Sequence, residues 1–356
     1  MGEVSTMGID IAKSVFQVHG VGEDGAVTIR RRVGRAKVLD LFAGLSPCLV
    51  GMEACATAHH WARELKKLGH DTRLMPPTYV KAYVKRGKND AADAAAICEA
   101  VTRPSMRFVP IKSVEQQSTL MLHRTRDLLI RQRTQLINAL RAHLGELGLV
   151  AAKGREGLQQ LVTAVAESGD ERLPNDARFA CQSIIMQLHA AQTQINGLDK
   201  HIIQAHRANA DSKRLETIPG FGVILSTAVV ATMTDPKAFK TGREFAAWIG
   251  LVPRQNSTGG KERLGSISKQ GDRYLRRLFV IGAISVVRTA RMRPDKYPWV
   301  IELLGRRPAK VVAVALANKM ARIAWAVLAK GESYRTSTRS SNAATRWQTE
   351  GLGMAI

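Results

Sequence analysis

Along the first hundred residues, short apolar runs alternate with polar, helix-favouring stretches. Residues 8–21, GIDIAKSVFQVHGV, read as a strand, AVTIRRRV at 26–33 as its hairpin partner, and PCLVGMEA at 47–54 as a further strand entering a helix. A helix over AHHWARELKKLGH (58–70) leads into a strand-like DTRLMPP, and the alanine-rich end of residues 79–101 favours another helix. This alternation predicts an α/β domain, a mixed sheet covered by helices, over residues 1–110.

From about residue 113 the apolar period changes. Leu122, Leu129 and Leu136 fall seven apart and Leu140, Leu144 and Leu147 continue the stripe. Ile184, Leu188, Ala191, Ile195, Leu198 and Ile202 alternate steps of four and three, the seam of a helix lying along another helix. Two long helices are therefore expected over 111–210, as an antiparallel coiled-coil hairpin or a dimer contact, with GDERLPNDAR (169–178) as the turn between them. A third, mainly helical domain is expected over 211–335, and the Ser-, Thr- and Asn-rich residues 336–356 read as a tail.

Charge narrows the class of partner. There are 53 Lys and Arg against 30 Asp and Glu, a formal net charge of +23, which suits a polyanion and nucleic acid first of all. Between Arg243 and Arg335 stand 19 Lys and Arg against 6 Asp and Glu, so over half of the excess lies there. No apolar run reads as a membrane span and no signal segment opens the chain, so a cytoplasmic protein with no membrane partner is expected. The four cysteines have no paired spacing and are expected reduced. Cys55, His59 and His60 have helix-compatible spacing for zinc but lack a fourth ligand, which favours ordinary histidines.

Four acids stand out. Asp10 lies within an apolar strand and Glu53 ends another, where a charge is costly unless paired or metal-bound. Asp90 and Asp93, three apart on a helix, share a face. Such a set could hold divalent cations for phosphoryl transfer; the plainer alternative is strand-end acids near water and a solvated helix face. In the C-terminal part, RLETIPGFGVILSTAVVATM (214–233) resembles a helix-hairpin-helix, with Gly220 and Gly222 flanking Phe221. Its alternative is a Pro-Gly turn starting a buried helix. Ser257 lies in a polar loop beside Gly259 and Gly260, with Arg254, Lys261, Arg263 and Lys269 near it; no His or Asp stands at triad spacing.

GIDIAKSVF, VGMEACATAHHWA and GKNDAADAAAI resemble the DEDD-type insertion-sequence transposases related to the Piv DNA invertases, a bridge-RNA-guided recombinase family, as do AWIGL, PRQNSTGGKERLG and SISKQGDRYLR. The likeness spans about 7–105 and 211–333. It implies a ribonuclease-H-like, RuvC-type N-terminal domain in which Asp10, Glu53, Asp90 and Asp93 bind two Mg2+ ions, Mn2+ substituting. It also implies a C-terminal transposase domain in which Ser257 is the catalytic nucleophile. Many relatives have two adjacent serines where this chain has Ser257 and Thr258, with Ser266 and Ser268 as fallbacks. Expected partners are double-stranded donor and target DNA, a structured non-coding guide RNA, and further copies in a homodimer or homotetramer. Expected nucleic-acid contacts are Lys13, Lys85, Arg86, Lys88, Gly220, Gly222, Arg254, Lys261, Arg263, Lys269, Arg273, Arg276 and Arg277. Two other functions remain open from residues alone: a hydrolytic RuvC-like nuclease or junction resolvase, and a non-catalytic DNA-binding protein.

Overall fold

A computed structural model describes residues 3–84, 89–167, 171–256, 258 and 263–335. The chain forms two compact units, residues 1–114 and 115–356. The first holds a five-stranded mixed sheet built from β1 (Thr6–Asp10), β2 (Val15–Val21), β3 (Val27–Gly34), β4 (Leu49–Glu53) and β5 (Asp71–Met75), in the order β3-β2-β1-β4-β5. β2 runs antiparallel to both β1 and β3, whereas β4 is parallel to β1 and to β5.

The single strand expected over 8–21 is two strands. Ala12, Lys13 and Ser14 are exposed and turn the chain between β1 and β2, because three residues without a large apolar side chain offer nothing to bury in a continuous strand. Asp10 is therefore the last residue of β1 and not the middle of a longer strand. The expected partner of the second half is in place: β3 pairs with β2, with Phe16 opposite Val33.

Alternation decides which element covers which face. Met7 and Ile9 of β1 and Val50 and Met52 of β4 are fully or almost fully buried with Phe42 of α1 (Val38–Ala43) and Ala58, Ala62 and Leu65 of α2 (Ala58–Lys67). Gly8 and Gly51, register partners, point to the opposite face. There α4 (Asp90–Val101) presses on the sheet, after the short α3 (Pro77–Val80). A Cβ at Gly8 would stand 2.2 Å from the Ala94 carbonyl oxygen, and one at Gly51 would stand 2.7 Å from the Val101 Cβ, so only glycine admits the helix at this distance. Asn89 caps α4, its side chain accepting from the Ala92 amide at 2.7 Å.

The second unit opens with α5 (Val114–Glu146), α6 (Arg155–Ala166) and α7 (Asn175–Ala208). The long helices lie side by side and antiparallel: Arg126 pairs with Asp199, and Arg133 donates to Gln192 at 2.6 Å. α6 stands between α5 and the expected turn at 169–178, and α7 begins within that stretch at Asn175. Leu161 and Val165 of α6 complete a core with Leu140, Leu144, Leu173 and Cys181, because an apolar periodic segment is buried where two helix ends leave room. Leu122, Leu129 and Leu136 are half-buried, whereas the α7 stripe is buried at Leu188, Ala191, Ile195 and Ile202.

The remaining helices are α8 (Ala210–Glu216), α9 (Val223–Thr232), α10 (Gly242–Ile249), α11 (Arg273–Met292), α12 (Pro298–Arg306) and α13 (Ala309–Lys330), with a ribbon of β6 (Pro253–Gln255) and β7 (Leu264–Ile267). α13 corrects the reading that no apolar run reaches membrane length: its 22 residues are long and apolar enough to cross one, although Lys319 and Arg322 stand in mid-helix. Val312, Ala313, Leu316, Ala317, Met320, Ala321 and Ala324 are buried, and α8, α10, α11 and α12 pack around them, so the apolar composition serves the core of this unit.

Candidate active site

Asp10 and Glu53 follow directly on the register pair Ile9 and Met52, at the carboxyl ends of adjacent parallel strands. Two residues beyond Gly8 and Gly51, they share the face that α4 crosses. Ala94 lies on Gly8, and the Cys98 thiol donates to the Thr6 carbonyl at 3.7 Å, so α4 runs back along β1 with its first turn towards Asp10. That first turn holds Asp90 and Asp93. The glycine pair, through the helix it admits, brings the four acids to one edge of the sheet.

Electrostatics records their proximity. Burial raises Asp10 above the usual carboxylate range, and the charges of Asp93 and then Asp90 raise it further. Burial, then Asp10, then Asp93, raises Glu53 in the same way. Asp10, Glu53 and Asp93 are half-buried and Asp90 is exposed. Among the described residues, no Lys or Arg forms an ion pair with any of the four. Nor do any three His, Cys, Asp or Glu side chains among them already stand as metal ligands. The acids share a field without standing as a preformed cluster of ligands.

The expected serine loop joins β6 to β7. Ser257 and Lys261 lie outside the described residues, as do Lys85, Arg86 and Lys88. Arg254, Arg263, Lys269 and Arg273 are exposed around the ribbon, and Lys13 is exposed in the β1–β2 turn. Arg254 donates to the Ser268 carbonyl at 3.3 Å; Ser266 is exposed on β7 and Ser268 follows it, half-buried. Two expected phosphate contacts are engaged within the protein. Arg276 donates to the carbonyls of Ile249 and Gln270 at 2.8 and 2.7 Å, and Arg277 pairs with Asp127 of α5, so both guanidiniums hold elements together.

Gly220 has a packing reason. Its φ is +88°, and a Cβ there would meet the Gly282 carbonyl oxygen and the Val286 Cγ2 at 2.8 Å, so the turn is pressed onto α11. Gly222 is exposed with open space around it at the start of α9. The zinc alternative fails at His59, whose Nδ1 accepts from the Lys112 amide and whose Nε2 faces the Lys112 ammonium, each at 3.2 Å.

A transposase family model of the DEDD type, named for IS110, matches residues 7–148, and a second, for the transposase IS116/IS110/IS902 family, matches residues 212–297. A probable family 20 transposase of Pseudomonas aeruginosa is 50% identical over 335 residues, covering 93% of this chain and 99% of its own. The chain belongs to the IS116/IS110/IS902 transposase family. The transposase for insertion sequence element IS1111A of Coxiella burnetii is 40% identical over 94% of this chain and 92% of its own. The pilin gene-inverting protein of Moraxella bovis is 22% identical over 92% of this chain and 97% of its own.

As a transposase the protein is an enzyme that cuts and rejoins DNA, in accord with its basic charge. Beside the acids of this transposase, sequence reasoning missed Gln17 and weighed Cys55 only as a zinc ligand. Gln17 is the cross-strand partner of Asp10 and is buried on the same face. The Cys55 thiol is raised by burial, then by the charge of Glu53. Gln17 was findable only from the β1–β2 turn, since its phase between Phe16 and Val18 assigns the face.

Proposed function

We propose that this transposase is a site-specific DNA recombinase in which Asp10, Glu53, Asp90 and Asp93 hold divalent cations, Mg2+ with Mn2+ as substitute, and Ser257 is the nucleophile. The observation that carries the metal part is the meeting of Asp10 and Glu53, on neighbouring parallel strand ends, with the first turn of α4. An all-carboxylate donor set without a described cationic partner suits a hard divalent ion. When bound, such ions neutralise charge on the attacking and leaving oxygens of a phosphoryl transfer. The sheet order with an antiparallel second strand is compatible with a ribonuclease-H-like, RuvC-type domain.

In this reading the Ser257 Oγ forms a bond to a strand phosphorus while one P–O bond of the strand breaks. The serine proton passes to the departing strand oxygen, and attack by a strand hydroxyl on the phosphoserine reverses the exchange. Arg254, Lys261, Arg263, Lys269 and Arg273 bind the phosphates around it. A structured guide RNA pairs with donor and target DNA, so that the chain reads backbone and charge, and a homodimer or homotetramer forms along the half-buried Leu122, Leu129 and Leu136 stripe.

A suicide DNA substrate with Mg2+ tests the chemistry. The wild type is expected to give a covalent protein–DNA adduct on denaturing gels, Ser257→Ala none, and Asp10→Asn a product yield lower by roughly a hundredfold or more. Full recombination by Ser257→Ala selects the hydrolytic nuclease instead, and full activity of both variants removes the proposed site. Sequencing of nucleic acid co-purified at low salt tests the guide: one discrete structured RNA supports it, and DNA alone refutes it.

A further inference from the structure

The face of α13 is apolar except where two cations sit in mid-helix. Lys319 and Arg322, three apart, share one side of the helix, and both are half-buried. The Lys319 ammonium lies over the Trp299 ring of α12, 4.3 Å from its centroid. Arg322 is pressed against the start of α10: a Cβ at Gly242 would stand 2.9 Å from the Arg322 carbonyl oxygen and 3.2 Å from its Cβ. Arg243 follows in the same first turn. The Arg322 Nε is buried with no hydrogen-bond partner.

These groups bear on one another. Burial lowers Lys319 below the usual lysine range and Arg322 lowers it further; burial and then Arg243 lower Arg322. Among the described residues, neither Lys319 nor Arg322 forms an ion pair. Two like charges, Lys319 and Arg322, half-buried one turn apart on α13 oppose folding, and a Leu or Met at 319 or 322 would continue the apolar core without that cost. What the arrangement suits is an anion that takes up several donors at once, and the substrate of a transposase is a phosphodiester chain.

We propose that Lys319 and Arg322, beside the start of α10, form a binding site for a backbone phosphate of the DNA, separate from the residues assigned to the serine loop, with Trp299 holding the lysine in position. The site uses no sequence-specific contact, so it anchors strands of any sequence. It rests on the transposase family and on neither the serine nor the metal assignment.

The double variant Lys319→Gln, Arg322→Gln in the full-length protein, titrated with duplex oligonucleotides over a range of salt, provides the test. Affinity is expected to fall roughly ten- to a hundredfold for every sequence, and the slope of log K against log salt to shrink by about two, while the melting temperature stays level or rises. A purely structural role would lower the melting temperature and leave the slope as it was, and that result overturns the proposal. Amine acetylation of the wild type read by mass spectrometry is independent of the variant's folding: duplex DNA is expected to protect Lys319. Equal labelling with and without DNA, or protection by structured RNA alone, overturns the assignment.

Discussion

At the scale of single residues, the carboxylates proposed to hold metal are unfavourable for folding when ionised. Asp10 and Glu53 have raised pKa values, so the folded state binds their protons more tightly than the unfolded chain does, and this contribution to stability is lost as pH rises through the raised values. Asp10→Asn is therefore expected to raise the melting temperature at neutral pH without metal while abolishing strand chemistry. Mg2+ is expected to stabilise the wild type and not the variant, which a thermal-shift titration reads directly. His123 carries the opposite sign. It is fully buried between Tyr274 and Thr227, each 3.0 Å away. Thr227 gives its proton to the Val223 carbonyl at 2.7 Å, so His123 donates from Nε2 and accepts from the Tyr274 hydroxyl at Nδ1. Burial pushes its pKa from 6.5 down to about 4. Stability is then complete above the unfolded value and is lost as pH falls from about 6.5 towards 4, by on the order of 3 kcal/mol. His123→Gln is expected to flatten that part of the melting profile relative to the wild type, and an unchanged profile would refute the role.

At the scale of elements, the position of α4 decides whether the acids meet. Asp90 and Asp93 ride on this helix, and its distance from the sheet is set by Gly8 and Gly51. Gly8→Ala places a methyl 2.2 Å from the Ala94 carbonyl oxygen, which the helix can relieve only by moving away. The expected cost is about 1–3 kcal/mol of stability, with a loss of activity larger than that stability explains at temperatures where the variant remains folded. Equal activity per folded molecule would show that the acids need not be held at this spacing. The Arg276 fork onto Ile249 and Gln270 acts in the same way on the β6–β7 ribbon: it ties the base of the loop to α11.

At the scale of the whole molecule, a net charge of +23 makes nucleic-acid affinity steeply dependent on salt. Affinity for non-specific duplex DNA is expected to fall by orders of magnitude between about 50 and 200 mM salt; a flat response in a filter-binding or polarisation titration would show that the cations are not the contact surface. The burial of α13 also matters here. The helix is apolar enough to be taken for a membrane span, yet its neighbours α8, α10, α11 and α12 cover it, and the membership of a protein in a transposase family agrees with that packing.

The sequence by itself determined the mixed α/β character of the first part, the helices that follow, the basic charge, and the family, since alternation, apolar period and motif order are local or compositional properties of the chain. Its errors were also local in origin: Ala12-Lys13-Ser14 was passed over as a turn, α6 was missed within a connection, and the length of the apolar run in α13 was overlooked. Only the tertiary structure decided which residues from different elements face one another. Asp10 feels Asp93 because two glycines let a helix lie on the sheet, Arg277 is taken up by Asp127 of α5, and Arg243 meets Arg322 because Gly242 lets two helices touch. Such meetings depend on close packing between elements, which no periodicity within one element encodes.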